Sequence, residues 1–288
     1  MSNKDLLENI KKLREITGVG FKDCKLALDD SDGDIEKSIE YLRKKGIAKA
    51  SKKMDRTANE GLVLAKEIEG EISIIEINSE TDFVAKNEDF IKFCKELADL
   101  SFQCQGNLDE INNSKMKDGS IVKDALVNLI AKIGEKITIR RSNFFDKKKG
   151  TNFFYIHAST EKNIGKIISL VKLDGIEKGK NDSIGNKISM HIAASNPLAI
   201  DRDGVKREII EKELEIIKAE VVNSGKTKEL AEKISKGKIE KFINDNTLLN
   251  QVWIMDPKKK VSDILKENKT DKEIKILSFL RYKVGEGV

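Results

Sequence analysis

The sequence predicts an α+β protein: three short N-terminal helices, a two-part core of antiparallel sheets flanked by helices, and an inserted antiparallel coiled-coil hairpin. Three observations carry this reading. Apolar residues recur at helical spacing through the first fifty positions, the period shortens to that of strands from Gly61, and a narrow apolar seam runs through charged sequence over 205–245.

In the first unit, Leu6, Ile10, Leu13 and Ile16 lie at helical spacing, and Thr17-Gly18-Val19-Gly20 breaks the helix with residues that suit a tight turn. A second helix carries Cys24, Ala27 and Leu28. Asp32-Gly33 marks a turn, Asp34 is placed to cap a third helix, Ile35, Ile39 and Leu42 line one of its faces, and Gly46 reads as its stop. Three helices of this length bury little alone, which suits a small docking module. The basic stretch from Arg43 to Arg56 has no aromatics and reads as a solvated linker.

Beyond it, Leu62–Ile68 and Glu71–Asn78 are strand-like runs separated by Gly70, the pattern of a hairpin. A polar turn follows, then a helix with Phe90, Phe93, Cys94 and Leu97 on one face. A further helix carries Ile121, Ala125, Leu129 and Ile133 and ends at Gly134, and Lys136–Arg141 alternates as a strand. The theme repeats with strands near 153–158 and 164–173 and a helix from about 184 to 195. Antiparallel sheets with helices on their faces make this middle region α+β.

The seam over 205–245 is Ile210, Leu214, Ile217 and Val221. Ser224-Gly225 then turns the chain into a second helix with Leu230, Ile234 and Phe242. Gly237 weakens that helix by about 1 kcal/mol relative to alanine. Val252–Met255 reads as a short strand, Val261–Leu265 as a helical stretch and Ile274–Val284 as a final strand.

Composition narrows the function. The chain has 288 residues, with 54 basic against 49 acidic side chains and a net charge of +5. Phosphate neutralisation needs a one-sided basic field, so nucleic acid is not favoured as the main ligand. No apolar run approaches the ~20 residues that span a bilayer, and the N-terminus lacks a signal-peptide core. Three scattered cysteines suit a reducing cytoplasm and offer neither a disulfide framework nor a zinc site. With two histidines far apart in sequence, no acid–base constellation, cofactor site or metal site is visible.

Ser224-Gly225-Lys226-Thr227 resembles the end of a phosphate-binding loop. The full pattern needs a glycine where Glu220 stands, and a charged helix precedes it instead of a buried strand, so the match is accidental. The informative segment is Asn78–Asn87, a loop between strand and helix. Phe83 sits there among polar neighbours. The pattern favours a hydrophobic staple folded onto the following helix; the functional alternative is an exposed aromatic wedge with Asp82 beside it. Local pattern does not choose between them. His191, near a helix end among small residues, reads as structural.

The order of segments resembles bacterial translation elongation factor Ts from end to end. The landmarks are Leu13–Gly20 with Asp23-Cys24-Lys25, Gly33–Glu36, Lys44-Lys45-Gly46, Thr81–Lys86, Lys132–Glu135 with Ile139-Arg140-Arg141, Met190–Ser195 and Arg281–Gly287. Each is weak singly; in this order they are specific. The resemblance implies a ubiquitin-associated-like three-helix domain over 1–54, a core N-terminal subdomain over 55–141, and a C-terminal subdomain over 142–288 with the hairpin inserted at about 205–246.

It also implies a non-enzymatic, cytoplasmic guanine-nucleotide exchange factor. The partner would be elongation factor Tu, GDP-bound or nucleotide-free, and the factor itself would bind no nucleotide. Thr81, Asp82, Phe83 and Val84 would then dislodge the partner's magnesium, with Phe83 as a wedge between partner helices. Val19, Gly20, Phe21 and Asp23 would contact the GTPase domain, although two hydrophobic residues commonly precede that aspartate and this chain has Phe21-Lys22. His191 would touch the partner's other domains. The alternative is an RNA- or ribosome-binding accessory protein without exchange activity, which the near-balanced charge disfavours.

Overall fold

In the computed structural model, the structure describes residues 3–17, 19–53, 55–176, 179, 182–223, 228–269 and 272–288. Helices α1 (Asn3–Thr17), α2 (Phe21–Asp30) and α3 (Ile35–Ser51) close on a small core that includes Ile10, Leu13, Cys24 and Leu28. Asp34 caps α3 as expected, its side chain accepting from the Lys37 amide at 3.0 Å. Two expectations fail here. Ile16 is 61% exposed, on the last turn of α1. Gly46 does not stop α3, which runs on to Ser51. A Cβ at Gly46 would lie 3.3 Å from the Ala131 Cβ, so this glycine serves close approach to the core.

The basic stretch from Arg43 to Arg56 is also no free linker, since it lies within α3 as far as Ser51. Arg43 pairs with Asp124 at 2.6 Å, Lys53 donates to the Gly134 carbonyl, and Arg56 reaches Glu80 at 3.3 Å. These contacts hold the end of the helical module against the 122–134 segment and the loop that follows the second strand, Glu71–Ser79.

Strands β1 (Glu60–Ile68) and β2 (Glu71–Ser79) form the expected hairpin, with Glu69 and Gly70 both at positive φ, as a two-residue turn of the primed type requires. After the loop 80–87 come α4 (Glu88–Gln103), α5 (Leu108–Asn113), α6 (Val122–Ile133) and β3 (Ile137–Phe145). Gly134 ends α6 in the left-handed conformation, φ 88°. Next are β4 (Thr151–His157), β5 (Ile164–Gly165), β6 (Ile167–Asp174), α7 (Asp182–Ser195), α8 (Arg207–Asn223), α9 (Lys228–Asn246), α10 (Val261–Glu267) and β7 (Lys275–Lys283).

One sheet has the order β3-β2-β1-β5 and the other β4-β6-β7, all antiparallel. The alternation of β2 explains the layering. Ile75 and Ile77 face α4 and the core around Phe90 and Leu97. Ile72 and Ile74 point the other way and meet Ile168 and Leu170 of β6 and Tyr282 of β7. The opposite face of β6, Val171 and Leu173, packs on Ile188 and Ile192 of α7. The order is therefore helices, sheet, sheet, helices. A strand buried on both faces reads as a near-continuous apolar run, which is what residues 72–77 show.

The two sheets share chain across the boundary expected at 141/142. β3 runs unbroken through that point to Phe145, and β5 leaves the second half to pair with Val63 and Leu64 of β1. The strand expected over 164–173 is therefore two, divided at Lys166, whose ammonium binds Glu60 at 2.8 Å. Val252–Met255 is a turn instead of a strand, with a single bridge from Val252 to Lys260.

Helices α8 and α9 pack through Ile217, Val221, Ile239 and Ile243, and the bridge Ala199↔Thr247 draws the two ends of this insertion together. Leu230, expected on the seam, is exposed, and Ala231 takes its place. The expected Ser224-Gly225 turn lies outside the described residues, as does Gly18.

Glu76, fully buried on β2, joins the sheets. Opposite it, β3 bulges: Ile77 pairs with Ile139 and Glu76 with Arg141, leaving Arg140 unpaired. The extra residue brings two consecutive arginines to one carboxylate, Arg140 at 2.9 Å and Arg141 at 2.5 Å. The Gly285 amide, beyond β7, donates to the same group at 2.9 Å. Replacing Glu76 by alanine leaves two guanidinium groups without their partner and should cost about 3–5 kcal/mol, read as a lower urea midpoint.

Candidate functional site

The loop from Ser79 to Asn87 is held at both ends. On the upstream side, the Thr81 amide donates to Glu135 Oε2 at 3.0 Å and the Thr81 hydroxyl donates to Oε1 at 2.9 Å. Ser79 Oγ donates to the Thr81 carbonyl at 3.0 Å. Glu80 accepts from the Lys136 amide at 2.5 Å and pairs with Arg56. Burial pushes the Glu80 carboxyl up, but the Lys136 amide, Arg56 and Lys53 outweigh it and hold the group below its ordinary 4.5.

Downstream, Val84 and Ala85 are buried in a single 3₁₀ turn, Val84–Lys86, and join the core that contains Phe90. Asn87 caps α4, its Oδ1 accepting from the Asp89 and Phe90 amides at 3.0 and 3.2 Å.

Between these anchors stands Phe83, 78% exposed. Its backbone, φ −64° and ψ −42°, is ordinary helical geometry, so the ring points outward without strain. The staple reading is overturned, and the reason is local: Val84 and Ala85 already occupy the apolar position over α4. Lys86 lies 6.0 Å from the ring centroid and pairs with Asp82 at 2.8 Å. That ammonium holds the Asp82 carboxyl below its ordinary value, so Asp82 is a fixed negative charge beside the ring. An exposed phenylalanine leaves about 1.5–3 kcal/mol of burial free energy unrealised within its own chain.

The second expected cluster lies at the start of α2. Gly20 is its N-cap residue with no side-chain cap, Phe21 is 47% exposed, Val19 packs against the helical core, and Asp23 pairs with Lys45 at 3.2 Å. Phe21 is the large apolar side chain of this group that reaches solvent. The module and the 79–87 loop are linked through Lys53 and Arg56.

His191 belongs to neither group. Its ring is fully buried, stacked on Trp253 at 5.2 Å between centroids, with Nε2 3.1 Å from Gln251 Oε1. The Gln251 amide nitrogen donates to the Ser195 and Asp245 carbonyls, each at 3.1 Å, so its oxygen faces the imidazole and His191 Nε2 is the donor. As placed, the imidazole has no surface to offer a partner. It ties α7 to the base of the helical hairpin.

Glu135, Glu80 and Arg56 were not foreseen as parts of this site. Their roles depend on contacts between residues 24, 54, 56 or 80 positions apart, which no local period encodes.

A family model described as Elongation factor TS matches residues 80–286. Elongation factor Ts of Maricaulis maris is 41% identical over 286 residues, spanning 97% of this chain and 91% of that relative. The proteins of that name from Methylobacterium nodulans and Rickettsia felis are 40% and 38% identical over 284 residues, again spanning 97% of this chain. The chain belongs to the elongation factor Ts family. It is thus a translation elongation factor, and the loop at the start of the matched region is the one that carries Phe83. Among the described residues, no helix is long and apolar enough to cross a membrane.

The buried histidine of this elongation factor gives a pH test. Burial, only partly offset by Gln251, holds the His191 pKa below its ordinary 6.5, and Nδ1 has no hydrogen-bond partner among the described residues. As pH falls below 6.5 the unfolded chain takes up a proton that the folded chain refuses, so stability drops towards the folded pKa and is unaffected above 6.5. His191→Gln should remove that component, up to about 1.4 kcal/mol per pH unit, in urea unfolding compared with wild type at successive pH values.

Proposed function

We propose that the protein binds elongation factor Tu carrying GDP and promotes its exchange for GTP, without chemistry of its own. The observation that carries this reading is Phe83, an unstrained aromatic ring 78% exposed on a loop pinned on both sides, in a chain of the elongation factor Ts family. Such a ring is built to be buried by something else.

The thermodynamic requirement is specific. A nucleotide bound at nanomolar affinity corresponds to about 12 kcal/mol, and the factor must bind the empty partner better than the loaded one. Burial of one phenylalanine provides about 1.5–3 kcal/mol, which does not release the nucleotide alone. A broad interface must position the ring. The exposed Phe21 and the turn at Val19–Asp23 provide a docking point on the helical module for the partner's GTPase domain.

Residues 81–84 divide the work. Phe83 enters between partner helices and shifts the segments that hold magnesium. Asp82, ionised beside it, competes for polar groups around the metal's water shell. Thr81 and the buried Val84 keep the loop in place. Magnesium neutralises phosphate charge, so loosening its coordination weakens nucleotide binding. GTP then displaces the factor by the same reciprocity. This work takes place in the cytoplasm.

Phe83→Ala should leave stability within about 0.5 kcal/mol of wild type, since the ring packs on little of its own chain. The same substitution should slow release of fluorescent GDP from the partner about tenfold, or about 1.4 kcal/mol in the barrier. Undiminished release by a properly binding variant removes the wedge role.

A further inference from the structure

We propose that Glu135 is a positioning residue for exchange: its carboxylate clamps Thr81 and thereby fixes the stance of Phe83. The proposal rests on the exchange reading and adds to it a residue outside the 81–84 segment.

Both oxygens of Glu135 are engaged by one residue. Thr81 gives its amide to Oε2 at 3.0 Å and its hydroxyl to Oε1 and Oε2 at 2.9 and 3.1 Å. Two donors on a shared ionised acceptor fix the Thr81 backbone and its side-chain rotamer together, and such bonds are stronger than neutral ones. Thr81 lies two residues before Phe83. The other anchor, buried Val84 and Ala85, lies immediately after it. Phe83 itself is 78% exposed, with the Lys86 ammonium 6.0 Å from the ring centroid. Without the Glu135 clamp the upstream side would keep the Ser79 bond to the Thr81 carbonyl and the Glu80 contacts, but the Thr81 amide and side chain would be released and the direction of the ring would spread.

Glu135 is itself well held. Gly134 ends α6 at φ 88° and turns the chain back towards the loop, its amide donating to the Ile130 carbonyl at 2.9 Å. The next residue, Lys136, binds Glu80 Oε1 through its amide and the Arg56 carbonyl through its ammonium, the latter at 2.8 Å. Lys53 donates to the Gly134 carbonyl. Three consecutive residues of this turn therefore hold the segment leaving the helical module and the segment entering the lever. The geometry of the two proposed contact regions is fixed through one tight turn.

A plain structural tie would produce the same contacts, so the test must separate stability from positioning. Full-length wild type, Glu135→Ala, Phe83→Ala and the double variant are titrated against elongation factor Tu loaded with fluorescent GDP, and release is followed by stopped flow. Glu135→Ala should lower the saturating release rate about fivefold while the half-saturating concentration changes less than about twofold. In the Phe83→Ala background the same substitution should have no further effect, as expected of residues that act through one another.

An equal loss in both backgrounds, or a change confined to half-saturation, overturns the clamp. If Glu135→Ala fails to fold, Thr81→Val removes the hydroxyl donor at nearly constant shape and must show the same pattern of loss. A wild-type chain that does not accelerate release overturns the exchange reading itself. Normal acceleration by wild type with unaltered Glu135→Ala overturns only this inference.

Discussion

The buried carboxylate of Glu76 is the constraint on which the arrangement of the two sheets depends. An isolated carboxylate in this position would be prohibitively costly, so its surroundings must supply cations and donors. They come from three stretches of chain: consecutive arginines on β3, Asn78 on β2 itself, and the Gly285 amide beyond β7. The bulge in β3 follows from that need, because in a regular strand Arg140 and Arg141 would point to opposite faces. Arg141 also lies over the Tyr282 ring, 4.1 Å from its centroid, which draws β7 to the same point. Gly285 permits the approach: a Cβ there would fall 2.0 Å from the Asn59 carbonyl oxygen. The charge cluster thus sets the register of one sheet and the docking of the other.

That frame gives the 79–87 loop its stiffness. β2 runs directly into the loop, and β3 begins directly after the turn that clamps it. A loop fixed by its own strand, by the neighbouring strand's turn and by a helix cap loses little conformational freedom when a partner covers it. Under the proposed exchange role this matters, because ordering a flexible loop at the moment of binding would consume free energy otherwise available to distort the partner.

Much of this architecture is legible in the sequence. Periodicity locates the first three helices, the β1–β2 hairpin and the α4 core face, since each rests on local spacing and recognisable turn residues. The errors share a cause. Gly46 carries the signal of a helix stop, yet it is a contact glycine against Ala131, and only the packing of α3 on the core distinguishes the two. The run 164–173 looks like one strand because both of its pieces are apolar; its division at Lys166 is dictated by two different partner strands. Phe83 is ambiguous for the same reason. Whether an aromatic residue in a polar loop folds inward depends on whether a neighbour has already filled the inward position, and Val84 and Ala85 have done so.

His191 illustrates the complementary limit. A histidine near a helix end among small residues reads locally as structural, and burial against Trp253 agrees with that reading. Family resemblance points instead to a partner contact. The two are compatible through an indirect route. Gln251, which accepts the imidazole hydrogen bond, also grips the carbonyls that end α7 and approach the end of α9. A change at the imidazole would therefore be felt at the base of the helical hairpin and over the exposed turn at Val252–Met255. A buried residue alters a surface by setting the angle at which its neighbours stand, so sensitivity of binding to substitution at His191 would not establish that the ring touches anything outside its own chain.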